Sequence, residues 1–379
     1  MRKSLLSLFM TLCLLMYLLL PVSAAGIEVP APSAILMDAA TGTILWEKNI
    51  HERLAPASVT KIMTLLLVME ALDNGRITWD DTVTTSAAAA AKGGSQVYLE
   101  EGEQMSIREM LKCVVVSSAN DCATALAEHV AGSEDAFVEQ MNLRAEELGL
   151  SDTHFVNCTG LDDDTDASEH LTSAHDLAVI SRELLTHDEI REYTTIWMDT
   201  VRDGQFGLSN TNKLVRFYSG TTGLKTGYTS AAGHCLSASA KRDGIELIAV
   251  VLHCASSTDR FESAKALLDY GFANWRLYTP ELTEISTVPV TLGTESELTP
   301  TLSDNTPILL EKGKTPEQHI ELAEGVTAPV DAGQQLGTLY ITAGDETIAE
   351  LPLVADAAVP RLSWWDVTTQ LIRGLCMCH

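Results

Sequence analysis

The chain opens with an apolar run from Leu5 to Leu20, behind two cations, Arg2 and Lys3. Val22-Ser23-Ala24 then supplies small residues, so residues 1–25 read as a secretory signal peptide, with an uncleaved N-terminal anchor as the alternative. Further on, Pro56 and Ser58 precede the apolar run Ile62 to Val68. Proline is tolerated in the first turn of a helix, so a helix should start near Ser58. Between Leu111 and Ala127 two apolar helical patterns flank a small polar break, Ser117-Ser118-Ala119-Asn120, which predicts a loop joining two helices. Helical patterns continue over 123–149 and 172–186. Gly233 to Ala240 and Glu246 to Leu252 alternate as strands joined by a turn around Arg242-Asp243-Gly244. Alternating segments such as Ile285 to Val290 and Gly337 to Ile341 predict a small β-rich domain over 280–358. Last, Trp364, Trp365, Leu371, Ile372 and Leu375 gather on one side of a helical pattern within 360–379. That segment is too short and polar to span a bilayer and suits an interfacial helix. A helix packed on the protein itself is the alternative.

Length and charge narrow the picture. The 379 residues allow one large and one small domain. The formal charge is -27, and losing Arg2 and Lys3 makes it -29. Such a surface repels nucleic acid, and it also repels an anionic membrane, so the tail must bind mainly by burying apolar side chains. Residues 281–356 hold 14 Asp or Glu and only Lys312 and Lys314 as cations. This domain reads as a spacer with a solvated acidic face, or alternatively as a partner-binding module. Of 8 cysteines, Cys13 leaves with the signal, and an odd number remain in the mature chain. Buried thiols acting as small hydrophobes are the default; a disulfide between Cys235 and Cys254 is the alternative. The histidines show no metal-binding spacing, so no metal and no cofactor is expected. The acidic run Asp162-Asp163-Asp164-Thr165-Asp166 reads as a solvated loop, with calcium as the alternative.

Three strings carry the chemistry. Ser58-Val59-Thr60-Lys61 puts a lysine three residues after a serine, on the same helical face. A serine hydroxyl needs a neighbouring base, and a lysine serves only if burial or a nearby cation lowers its pKa. Lys225 is the candidate cation. The helix start also offers backbone N–H donors where an oxyanion forms. Ser118 and Asn120 should project from their loop into a cleft, one to relay a proton, the other to orient a carbonyl and the lysine. Lys225-Thr226-Gly227 should begin an edge strand. There Gly227 lets a ligand approach the backbone, Thr226 offers a hydroxyl to a carboxylate, and the Tyr228 N–H is a second candidate oxyanion donor. Singly each string is common; in this order, with these helix, loop and strand contexts, they point to attack of serine on an amide carbonyl.

With these strings the chain resembles the low-molecular-mass penicillin-binding proteins, the serine D-alanyl-D-alanine carboxypeptidases. The resemblance includes Ser33 to Leu45, similar to the family's opening hairpin, and Gly94 to Leu99 with Glu101-Gly102-Glu103. It also includes His154 to Leu161 followed by Leu171 to Ala178. It covers roughly 28–275 closely and 280–379 by layout. It implies an α+β fold of the β-lactamase/transpeptidase type. An antiparallel sheet covered by helices joins an all-helical lobe, and a small all-β domain follows. The catalytic domain is then 26–276. It implies Ser58 as acylated nucleophile, Lys61 as base, Ser118 and Asn120 as relay and substrate pair, and Lys225 and Thr226 as binders of the terminal carboxylate. Tyr228 stands where histidine or threonine is frequent in the family, and its side-chain role is left open. Arg260 occupies a family-like position as a second carboxylate anchor; a surface ion pair with Asp259 or Glu262 is the alternative.

The expected activity is removal of the terminal D-alanine from peptidoglycan stem peptides, with β-lactams as inhibitors acylating the same serine. The expected place is the outer face of the plasma membrane, held by the C-terminal helix. A β-lactamase on the same scaffold is the nearest rival. No Glu-x-x-Leu-Asn segment supports it, and the second domain and tail speak against it. A non-catalytic wall-binding protein is the rival from another class, and the intact Ser58, Lys61, Ser118, Asn120 and Lys225 speak against that.

Overall fold

The computed structural model describes residues 27–162, 168–282 and 285–376. The expected signal peptide and most of the acidic loop lie outside them. Contacts divide the chain into two units, Met1–Ala240 with Leu247–Tyr270, and Lys241–Glu246 with Gly271–His379.

In the first unit the sheet is built from β1 (Ser33–Asp38), β2 (Ile44–Lys48), β3 (Thr221–Thr229), β4 (Gly233–Arg242) and β5 (Ile245–Cys254). Its order is β2-β1-β5-β4-β3, antiparallel throughout, with Leu36 opposite Ala249 and Lys225 opposite Ser237. The opening hairpin and the strands around Gly227 thus share one sheet, as expected. All six residues of β1 are buried, and β5 is buried except His253, which fits strands covered on both faces. The turn falls at Arg242-Asp243-Gly244, where Asp243 and Gly244 have positive φ.

The longer helices are α1 (Lys61–Asp73), α2 (Ile107–Ser117), α3 (Asn120–Ala131), α4 (Glu134–Glu147), α5 (Ala174–Leu184) and α6 (Ser257–Asn274). Every residue of α1 from Lys61 to Met69 is buried, so it is a central helix without a polar face. It packs against α3, α4 and α5. The helical pattern 123–149 is two helices, broken where Gly132 takes φ +87 and Ser133 caps α4 by accepting from the Ala136 N–H. Cys113, Cys122, Cys158, Cys235 and Cys254 are free and buried, so the alternative of a Cys235–Cys254 disulfide is set aside.

The second unit is β-rich. Its four-stranded sheet, β6 (Pro300–Leu302), β7 (Glu317–Leu322), β8 (Gln335–Ala343) and β9 (Glu346–Ala355), has the order β6-β9-β8-β7. Along β8 the side chains of Leu336, Leu339, Ile341 and Ala343 turn inward, a strand period interrupted by register shifts at Gln335/Gly337 and Ile341/Thr342. After this sheet comes α7 (Trp364–Cys376), with Trp364 71% and Trp365 70% exposed.

Candidate active site

Residues Ala57–Thr60 form a 3₁₀ turn that runs into α1, so Ser58 sits just before the helix and Lys61 is its first residue. The turn is held from two sides by glycines. A Cβ on Gly160 would lie 1.8 Å from the Ala57 carbonyl oxygen, and one on Gly227 would lie 2.7 Å from that of Pro56. Gly227 therefore admits the serine turn against β3; the expectation named only a ligand.

Lys61 is fully buried. Its Nζ donates to Ser58 Oγ at 3.0 Å and to the Thr159 carbonyl at 2.7 Å. Burial lowers its pKa to about 7, against the opposing pull of Cys158 and Asp121. The Thr159 carbonyl is set in place by Asn157, whose Oδ1 accepts from the N–H groups of Thr159 (3.1 Å) and Gly160 (2.6 Å).

At the C-terminus of α2, Ser118 takes φ +63 and ends the helix, and α3 begins two residues later. The Lys225 Nζ donates to Ser118 Oγ at 2.8 Å and to the Thr226 carbonyl at 2.9 Å. Lys225 is 1% exposed, and burial drives its pKa well down, with the charges of Lys61 and Arg260 adding to the effect. Burial is the largest influence on Lys61, and the mutual repulsion of the two lysines disfavours charging both at once. One correction concerns Asn120. It is the first residue of α3, buried, and its Nδ2 donates to the Gly93 carbonyl at 2.7 Å, while its Oδ1 has no partner among the described residues. It therefore stands on the helix and not in the loop with Ser118. A second concerns Lys225, which stands fifth of nine residues in β3 rather than at its start.

A cleft of about 320 Å³ is lined by Ser58, Ser118, Thr226, Gly227, Tyr228 and Arg260, together with Ser95, Thr211 and His234. Thr226 Oγ1 donates to Thr211 Oγ1 at 2.6 Å. Tyr228 is 58% exposed and its ring stacks on His234 with centroids 4.3 Å apart. Arg260 is buried. Its Nη1 donates to the carbonyls of Gly227 (3.1 Å) and Cys235 (3.3 Å), its Nε has no partner, and no carboxylate of the described residues pairs with it. The surface ion pair is thereby excluded. Ser95, Thr211 and His234 were missed because polar residues in loops and strand starts carry no motif of their own. Gly160 lies in the family-like block His154 to Leu161, and its glycine was the available signal.

A serine and a neutral-prone lysine in contact, with a second buried lysine on a second serine, make a nucleophile–base pair facing a cleft whose lining includes the Arg260 guanidinium. A family model described as D-alanyl-D-alanine carboxypeptidase matches residues 21–256, and one described as penicillin-binding protein 5, C-terminal domain, matches 281–361. D-alanyl-D-alanine carboxypeptidase DacF of Bacillus subtilis is 42% identical over 334 residues, 86% of this chain and 85% of that one. The crystal structure of penicillin-binding protein 5 from Haemophilus influenzae superposes with a TM-score of 0.77 at 31% identity, covering 89% of this chain and all of that one. Penicillin-binding protein D2 of Listeria monocytogenes, solved with ampicillin bound, gives a TM-score of 0.59 at 32% identity over 65% of this chain and 98% of that one. The chain belongs to the serine D-alanyl-D-alanine carboxypeptidases, the low-molecular-mass penicillin-binding proteins.

Proposed function

We propose that Ser58 is the acylated nucleophile of this serine D-alanyl-D-alanine carboxypeptidase, acting on the D-alanyl-D-alanine end of peptidoglycan stem peptides. The observation that carries the assignment is the 3.0 Å contact between the buried Lys61 Nζ and Ser58 Oγ. Neutral Lys61 takes the Ser58 proton as Oγ attacks the carbonyl between the two D-alanines. The peptide C–N bond breaks, and Ser118, hydrogen-bonded to Lys225, relays a proton to the departing D-alanine nitrogen. Water then hydrolyses the ester and Ser58 regains its proton. A β-lactam acylates the same oxygen through its ring amide. Mass spectrometry after mixing with penicillin tests the reading: a lasting adduct supports it, rapid turnover favours a β-lactamase, and no adduct favours a wall-binding protein.

Lys225, Thr226 and Arg260 are proposed to hold the terminal carboxylate. Support comes from the Arg260 guanidinium in the cleft lining, which no carboxylate of the described residues neutralises. Arg260→Ala should weaken peptide turnover more than penicillin acylation, read as kcat/KM for D-alanine release against the acylation rate constant. Equal effects, or none, would remove Arg260 from carboxylate binding.

Attachment to the outer face of the plasma membrane through α7 is likewise proposed, with the signal peptide removed. Trp364, Trp365 and Ile372 are exposed, and no described helix is long and apolar enough to cross a bilayer. Each large side chain buried at an interface contributes on the order of 1.5–3 kcal/mol. Ending the chain after Val359 should release the mature protein from membranes with unchanged acylation; continued pelleting would place the anchor elsewhere.

A further inference from the structure

Next to the serine turn lies a buried histidine that the chemistry above does not use. His170 is 5% exposed, and its ring meets Phe155 edge-on at 5.7 Å between centroids. The Val156 N–H donates to its Nδ1 at 3.1 Å. A neutral imidazole that accepts at Nδ1 carries its proton on Nε2. That Nε2 is 2.7 Å from Thr60 Oγ1, so the ring donates to Thr60. The Thr60 hydroxyl is left with one proton, and it goes to the Ala57 carbonyl, 2.8 Å away. Every donor in the chain Val156, His170, Thr60, Ala57 thus points the same way. Burial, with His154 and Lys61 nearby, pushes the imidazole down to about 4, which keeps it in the neutral form this chain requires.

The chain ends on a strained residue. Ala57 is buried with φ +49, a left-handed conformation that is costly for a non-glycine residue. It directly precedes Ser58. Gly160, from the same loop that supplies the Thr159 carbonyl to Lys61, closes over the Ala57 oxygen and over Thr60 Oγ1.

We propose that His170 and Thr60 are positioning residues: by fixing the Ala57 carbonyl they hold the backbone that aims Ser58 at Lys61 and at the substrate. The proposal rests on Ser58 being the acylated residue. Neither side chain touches the reacting atoms, so loss of the chain should lower the chemical step and leave ground-state binding alone. A misplacement of about 1 Å in a reacting group can cost about 10²-fold.

The test compares full-length Thr60→Val, Thr60→Ser and His170→Gln proteins in D-alanine release and penicillin acylation, with thermal unfolding alongside. Thr60→Val keeps the side-chain shape and removes both hydrogen bonds. It should lower kcat and the acylation rate constant about 10- to 10²-fold, with KM within about twofold. Thr60→Ser should restore most of the rate. His170→Gln, whose amide can still donate to Thr60, should fall between. Adding it to Thr60→Val should cost nothing more, because the two act through one chain. Folded Thr60→Val with wild-type kcat and acylation overturns the proposal, as do losses that multiply in the double variant. If Thr60→Val does not fold, a folded His170→Gln with wild-type rates, or with KM raised and kcat kept, overturns it instead. Penicillin attached to a residue other than Ser58 in the wild-type protein would defeat the nucleophile assignment itself, a distinct outcome.

Discussion

Ser58→Ala should show no penicillin adduct and no D-alanine release, while folding as the wild type does. The expectation follows from how little the substitution disturbs. Ser58 Oγ accepts from Lys61 Nζ and faces the cleft, and the turn around it is held by backbone contacts to Gly160 and Gly227 that alanine leaves intact. Lys61 keeps its bond to the Thr159 carbonyl. The cleft with Thr226 and Arg260 therefore survives, and penicillin should still bind weakly and reversibly. What disappears is the only covalent chemistry. Intact-mass measurement after incubation with penicillin, together with D-alanine release, reads both. A persisting adduct on another serine, Ser118 above all, would transfer the nucleophile's role.

Lys61→Arg should lose about 10²-fold or more in acylation at neutral pH, the scale of a lost general base. A guanidinium does not shed its proton in a protein, so the substitution keeps charge and removes basicity. The wild-type rate should rise with pH through about 7, because the neutral amine is the active form and burial has brought the Lys61 pKa there. The same shift acts on stability. Lys61 in the folded protein releases its proton near pH 7, whereas the unfolded chain holds it to about 10.5, so the unfolded state binds more protons between those values. This group's contribution thus favours the folded state increasingly as pH rises from about 7 to about 10.5, and weighs against it below. A pH profile of acylation from pH 5 to 9 checks the catalytic half. A flat profile, or an arginine variant as fast as wild type, would rule out Lys61 as base.

Much of this was legible in the chain, for identifiable reasons. Ser58 and Lys61 lie three apart on one rising turn, a local relation that sequence spacing fixes. Alternation marked β4 and β5, and the polar break between α2 and α3 fell where the helix ends. What spacing does not fix is orientation after a break. Ser118 takes a left-handed backbone and turns to Lys225, whereas Asn120 is already helical and turns to Gly93. The Thr159 carbonyl, a backbone atom, has no sequence signature of its own, though it holds Lys61 as closely as Ser58 does. His170 was unreadable for a similar reason: its meaning lies in one N–H, that of Val156, which selects the tautomer. Burial, the largest influence on the Lys61 pKa, depends on the whole lobe packed around α1, whereas the neighbouring cation Lys225 was visible in a short string.

The order of strands in the large sheet has a consequence for when the enzyme becomes reactive. β1 pairs with β5, bringing Ala34 beside Val251, and the lysine that meets Ser118 comes from position 225. Such pairings span most of the unit's sequence, and loop-closure entropy makes contacts of that separation slow to form. A partly synthesised chain that lacks β3, β4 and β5 lacks Lys225, Gly227 and Arg260, and with Gly227 it lacks one of the two supports of the Ser58 turn. The complete site thus requires the last strands, and reactivity with penicillin should arrive only once the ends of the sheet have met.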